Sequence, residues 1–281
     1  MSYHPYVSVP SPSSHMFIHP ESHPNSQSKI NNAADAIWES IFIPPIQARV
    51  NANLPGANLS ITETLYLMDL CPFDTVQSLA GTPLSPFCTL FTKSEWRQYD
   101  YLRSLDKWYA DGPGNHLGPT QGVGFANELL ARMTGNRTYA TRDRTNVNHT
   151  LDASNTTFTL GGTAIYADFS HDDPMISIFS ALGLFNSTTD TIGQLSNNTA
   201  LTVQQMRGYS AGHSVPFAGR AYFEKMVCAE ANGTEELVRV VMNDRVVPLV
   251  GCGADGRGRC ELSRWIASLG FVKEGGYWSQ C

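Results

Sequence analysis

Positive charge is scarce in this sequence. Its 281 residues carry 19 Lys and Arg against 25 Asp and Glu, a net charge of −6, and no basic run exceeds two residues. That excludes a nucleic-acid partner held by phosphate electrostatics, which needs Lys and Arg clustered on one face. Also missing is an apolar stretch long enough to cross a bilayer, because polar or Gly positions interrupt every candidate within a few residues. No membrane association is expected. The amino terminus has neither the basic start nor the continuous apolar core of a signal peptide. What is there is ordinary globular composition, 42% hydrophobic and 16% charged, enough to bury a sizeable core in one or two domains.

The residues that are present point to export. Seven Asn-x-Ser/Thr sequons occur, at Asn58, Asn136, Asn148, Asn155, Asn186, Asn197 and Asn232, more than a cytosolic chain of this size carries by chance. Six cysteines agree. Cys71 and Cys88 bracket a loop containing Pro and Gly, and Cys252 and Cys260 bracket Gly-Ala-Asp-Gly-Arg-Gly-Arg; both loops are short enough to close easily. Residues 1–35 form a different kind of sequence, dominated as far as Asn32 by Ser, Pro, His and Asn, and are expected to be disordered. The histidines scattered there, His4, His15, His19 and His23, lack the surrounding order that a metal site needs.

Residues 36–160 read as a mainly helical subdomain with loops. Ser60 and Glu63 make a capping box for a helix through Leu70, and Thr92 and Glu95 make another for Trp96 to Tyr109. The stripe of Trp96, Tyr99, Tyr101, Leu102, Leu105 and Trp108 has helical spacing and is assigned to the core. Gly-Pro-Thr-Gln-Gly-Val-Gly-Phe, from Gly118, matches neither the G-x-G-x-x-G nor the P-loop spacing, so Gly122 and Gly124 are read as permitting close helix packing before a buried continuation, Ala126 to Met133. Arg137 to Asn155 is expected to be a surface loop.

The most informative stretch lies in residues 161–281. Ala164 to Phe169 is an apolar, β-favouring run; Ser170, His171, Asp172 and Asp173 stop it; Pro174 then opens an amphipathic segment with Met175, Ile176, Phe179, Leu182 and Leu184 as its apolar positions. The pattern predicts strand, sharp turn and helix, with Pro174 at the first helical position and either aspartate as its cap. A His-Asp pair at the carboxyl edge of a strand, beside a helix amino terminus, suits an anion such as phosphate. Downstream, Ala218 to Cys228 alternates like a strand, while Leu237 to Met242 and Val246 to Val250 flank Asn243, Asp244 and Arg245 as a hairpin.

The approach Ala-Asp-Phe-Ser to His171-Asp172 resembles the second catalytic motif of the histidine acid phosphatases, the fungal phytases in particular. Four other segments resemble phytase segments in the same order: Tyr66 to Cys71, Leu84 to Cys88, Gly118 to Met133 and Val241 to Cys252. The resemblance runs from about Phe42 to Cys281. It implies an α/β fold of the phosphoglycerate mutase-like kind: a mostly parallel sheet with flanking helices, plus a helical subdomain, here incomplete because amino-terminal strands are missing. It also implies a secreted acid phosphomonoesterase acting on inositol hexakisphosphate or broader organic phosphates, with no cofactor and no metal. By the same resemblance His171 binds phosphate and Asp172 protonates the leaving alcohol. A bound phosphomonoester dianion raises the Asp172 carboxyl and the helix amino terminus lowers it, so the acid form is expected mainly at acidic pH.

The family's attacking histidine lies in an Arg-His-Gly-x-Arg segment, and no Arg-His-Gly occurs here. The chain is therefore expected to be a truncated phytase-like protein, inactive alone, with an exported body but no export signal; a misassigned start would account for both absences. The resemblance makes Cys71 with Cys88 and Cys252 with Cys260 family disulfides, and leaves Cys228 and Cys281 as orphans or as a second-best pair. Asp173 and Pro174 stand where phytases usually have Asn and a small or apolar residue, and Thr82 and Pro83 stand where a basic residue often helps hold phytate. The expected partner is a small phosphomonoester. Two other readings remain: a metal-dependent His-Asp phosphohydrolase, for which His116, His149 and His213 would have to leave their expected loops, and a secreted, non-catalytic glycoprotein that binds phosphorylated ligands.

Overall fold

The computed structural model of the chain describes residues 2–4, 30–77, 83–145, 149–162, 165–185, 194–230 and 233–280. The expected disordered tail falls largely outside them. Of it, Ser2–His4 forms a short strand, β1, and the helix α1, Ile30–Asn53, starts earlier than position 36. The reason for the early start is local: Ala34, Trp38, Phe42, Ile46 and Val50 recur at every fourth position, and all are buried.

Two further helices complete the first layer, α2 (Ile61–Gln77) and α3 (Lys93–Ala110). Both capping boxes form. The Ser60 backbone amide donates to Glu63 at 2.8 Å and the Glu63 amide donates to the Ser60 hydroxyl; Thr92 and Glu95 make the same reciprocal pair. The Ser60-capped helix continues past Leu70 to Gln77. Four members of the aromatic stripe of α3 are core, Tyr101, Leu102, Leu105 and Trp108 being almost fully buried, whereas Trp96 and Tyr99 are half-buried against its edge. Trp38 meets Tyr101 edge-on with ring centres 5.3 Å apart, and its indole N–H donates to the Gln98 carbonyl, which locks α1 onto α3.

The turn Gly118–Gly122 leads into α4, Val123–Thr134. A Cβ on Gly122 would lie 2.4 Å from the Ser177 carbonyl oxygen, so only glycine allows this approach to α7, Asp172–Ala181. Residues 137–155 are not simply a loop. They contain α5 (Thr138–Thr141) and α6 (Thr150–Ala153), because Arg137 donates to the carbonyls of Asp152 and Phe158 and to Asn155 Oδ1, stapling the excursion to itself.

A short helix, α8 (Ala211–Ser214), precedes the sheet. Its strands are β2 (Ala221–Glu230), β3 (Gly233–Met242), β4 (Arg245–Val247) and β5 (Cys260–Glu261), in the order β1-β2-β3-β4 with β5 also on β3. Every pairing among the described residues is antiparallel, so the parallel portion implied by the resemblance is not among them. The hairpin forms at Asn243 and Asp244, whose φ values of 46° and 64° are both left-handed, as a tight two-residue turn demands. Two more helices, α9 (Leu262–Ser268) and α10 (Gly270–Lys273), close the chain. One buried cluster joins α1, α3, α4, α7, β3 and α9. The class is therefore mixed α/β.

Disulfides join Cys71 to Cys88 and Cys252 to Cys260; Cys228 is a free, half-buried thiol, and Cys281 lies outside the described residues. Peptide mapping of the unreduced protein is expected to find these two bridges and an alkylatable Cys228, since both loops close locally. A bridge from Cys71 to Cys228 would contradict the arrangement.

Candidate active site

The run expected as a strand is not one. Residues 165–170 make no sheet pairing; Tyr166 is buried, whereas Phe169 is 77% exposed. Strand formation needs a neighbour for every second amide and carbonyl, and the described residues supply none here. The turn and the helix form where expected, but neither aspartate is the cap. His171, in an extended conformation, is the N-cap residue of α7 and makes no side-chain cap; Asp172 and Asp173 occupy the first turn. Pro174 is thus the third helical residue rather than the first, which costs nothing because amides of the first turn have no helical partner.

What the sequence did not bring to this turn is Lys107. Its ammonium, extending from the last turn of α3 with only 14% of the side chain exposed, lies 2.6 Å from Asp172 Oδ2 and also contacts Asp173 Oδ1. Burial lowers the Lys107 pKa, but the two carboxylates outweigh it and raise it above its ordinary value. Asp172 mirrors this: burial pushes it up, while the hydrogen bond and charge of Lys107, with backbone amides of Asp172 and Asp173, hold it below the usual carboxylate range. Asp111, the C-cap residue of α3, was also missed. Burial and then the Asp173 charge push it up to about 7 despite Lys107, and its carbonyl accepts from the Ser177 hydroxyl at 3.3 Å. No sequence signal could have found Lys107, since 66 residues separate it from Asp173.

The other histidines are engaged elsewhere. His116 stacks on Tyr277 and contacts Gln280, His149 sits between Asp143 and Asp152, and His213 contacts Arg245. Among the described residues no three His, Cys, Asp or Glu side chains are grouped to hold a metal, and no helix is long and apolar enough to cross a membrane. Asn58, Asn136 and Asn155 are exposed, Asn197 is half-buried, and Asn148, Asn186 and Asn232 lie outside the described residues, as does Thr82.

His171, Asp172, Asp173 and the Lys107 ammonium thus lie together at the amino terminus of α7. The family model of the histidine phosphatase superfamily (branch 2) matches residues 11–243, and the chain belongs to that superfamily. It is 50% identical over 248 residues to phytase A of Emericella nidulans, covering 88% of this chain and 51% of that protein. To phytase A of Aspergillus oryzae it is 48% identical over 249 residues, with the same shares covered. The chain thus spans about half the length of the curated relatives it matches. Its fold superposes on the phytase from D. castellii with a TM-score of 0.69 at 23% identity, over 92% of this chain and 48% of that one. It also superposes on a Bifidobacterium longum multiple inositol polyphosphate phosphatase, solved with inositol hexasulfate, with a TM-score of 0.56 at 14% identity, over 86% and 55%.

Proposed function

We propose that the His171–Asp172 turn is the phosphate-binding and proton-donating part of a phytase-like acid phosphatase centre acting on phosphomonoesters, inositol hexakisphosphate among them. The observation that carries this is the Lys107 ammonium 2.6 Å from Asp172 at the start of α7. A phosphoryl dianion placed there meets His171, the first-turn amides and Lys107. Once it draws the ammonium away and sets its own charge beside Asp172, the carboxyl rises and becomes a proton donor to the leaving alcohol. The naming of the half-identical relatives as phytases supports inositol hexakisphosphate as the substrate class. Secretion and glycosylation at exposed sequons are part of the proposal. A second reading, a non-catalytic glycoprotein binding phosphorylated ligands, is favoured by one fact: the sequence holds no Arg-His-Gly segment.

Calorimetric titration with inositol hexakisphosphate at pH 5 tests the site. Saturable binding, weakened about tenfold by Lys107→Ala, is the expected result, a loss on the order of 1.4 kcal/mol. Asp173→Asn should act in the opposite direction, tightening binding roughly fivefold, because one carboxylate stops competing with phosphate for Lys107. A folded chain that binds nothing, or an Asp173→Asn variant that binds more weakly, would count against the proposal.

A further inference from the structure

Among the described residues no strand pairs with the segment entering the His171 turn, yet the turn must be held if His171 and Asp172 are to meet one phosphate. We propose that Arg132 is the positioning residue of this turn, gripping the irregular lead-in through Asp168 and Tyr166. What it positions rests on the phosphate reading above; how it does so rests on geometry alone. Arg132 projects from α4, and its side chain is only 7% exposed. Nη1 donates to Asp168 Oδ2 at 2.9 Å, three residues before His171, and Nη2 reaches Glu128 Oε2 at 3.3 Å. The guanidinium lies over both the Phe158 ring, at 5.0 Å, and the Tyr166 ring, at 5.3 Å. A planar, delocalised cation can stack on rings while its edges hold carboxylates, which an ammonium cannot do.

The same unit holds the far side of the turn. Gly122, just before α4, lies against the backbone of Ser177 and Ile178 in α7. Helix α4 is itself anchored by Ala126, Leu129, Leu130 and Met133, all buried. One rigid element therefore fixes the body of α7 through Gly122 and its lead-in through Arg132, with His171 and Asp172 between the two points. Such support from behind a site, by a residue that touches no ligand, sets the geometry on which binding depends. The arrangement also tolerates removal of the arginine. Burial pushes Glu128 up to about 7, with Arg132 opposing and Asp152, Asp168 and Asp143 adding to the rise, so a proton can take the place of the lost cation.

Hydrogen exchange and phosphate titration of Arg132→Met, Arg132→Lys and Asp168→Asn test the assignment. The expected result is roughly tenfold faster exchange of the Met175 amide, which closes the first turn of α7 on the His171 carbonyl, in Arg132→Met and Asp168→Asn, with α3 and α4 as protected as in the parent chain. Binding of inorganic phosphate should weaken about tenfold in both. Arg132→Lys should recover part of the loss, since it keeps the ion pair and forfeits the stacking. Unchanged exchange of the Met175 amide in folded Arg132→Met and Asp168→Asn overturns the proposal, and so does loss of protection spread evenly over α4 in both. A parent chain that binds no phosphate refutes the functional reading instead, and the exchange measurement still decides the role of Arg132.

Discussion

Incubated at acidic pH with inositol hexakisphosphate or 4-nitrophenyl phosphate, the 281-residue chain is expected to release no phosphate above background. Transfer through a phosphoenzyme needs a group that attacks phosphorus, and the family segment that supplies it, Arg-His-Gly-x-Arg, does not occur in the sequence. In the proposed role Asp172 would protonate a leaving alcohol, which does not replace the nucleophile. Knocking out a nucleophile alone costs a catalytic centre on the order of a millionfold. Release of phosphate by the purified chain, abolished by Asp172→Asn, would show that another residue attacks and would overturn the expectation.

Stability should fall as the pH rises from about 5 to 8. Asp35 is pushed up to about 8 by burial and then by the charges of Asp106 and Glu39, against Arg103, and its Oδ1 is buried without a hydrogen-bond partner among the described residues. Asp111 and Glu128 are pushed up to about 7, also by burial first. In each case the folded chain holds a proton that the unfolded chain releases near pH 4, so the stabilisation is complete below pH 4 and lost as pH climbs through 7 and 8. Asp172, Glu95 and Asp255 have lowered values and work the other way, contributing above pH 4 and losing that contribution in strong acid. Relaxation and water penetration return much of the nominal linkage of the three raised groups, leaving a loss on the order of 3 kcal/mol between pH 5 and 8. For a chain of this size that lowers the melting temperature by roughly 6 to 10 °C. Asp35→Asn should remove about a third of the slope and raise stability most at pH 8. Melting temperatures that rise toward pH 8, or an Asp35→Asn variant with the parent's slope, would refute this.

The two predictions draw on different kinds of information. The first depends on which residues the chain contains, and could be made from the sequence. The second depends on where Asp35, Asp111 and Glu128 end up, and nothing in their sequence neighbourhoods announces burial. The expected strand at 164–169 failed for a related reason. An apolar run reports that residues avoid water, but whether it becomes a strand depends on partners for its amides and carbonyls, and those come from elsewhere in the chain.

By itself the sequence determined what nearest neighbours along the chain can decide. Thr92 with Glu95 and Ser60 with Glu63 started their helices because the capping bonds span three residues; Asn243 and Asp244 turned the hairpin because they tolerate left-handed backbone; the start of α7 was legible because polar residues and Pro174 interrupt two apolar segments there. The tertiary structure alone decided which charges meet. Lys107 reached Asp172 across 65 residues and Arg132 reached Asp168 across 36, because packed helices brought α3 and α4 against α7 and its lead-in. Coulombic and stacking contacts depend on distance in space, and once a chain is compact that distance bears no fixed relation to distance along it.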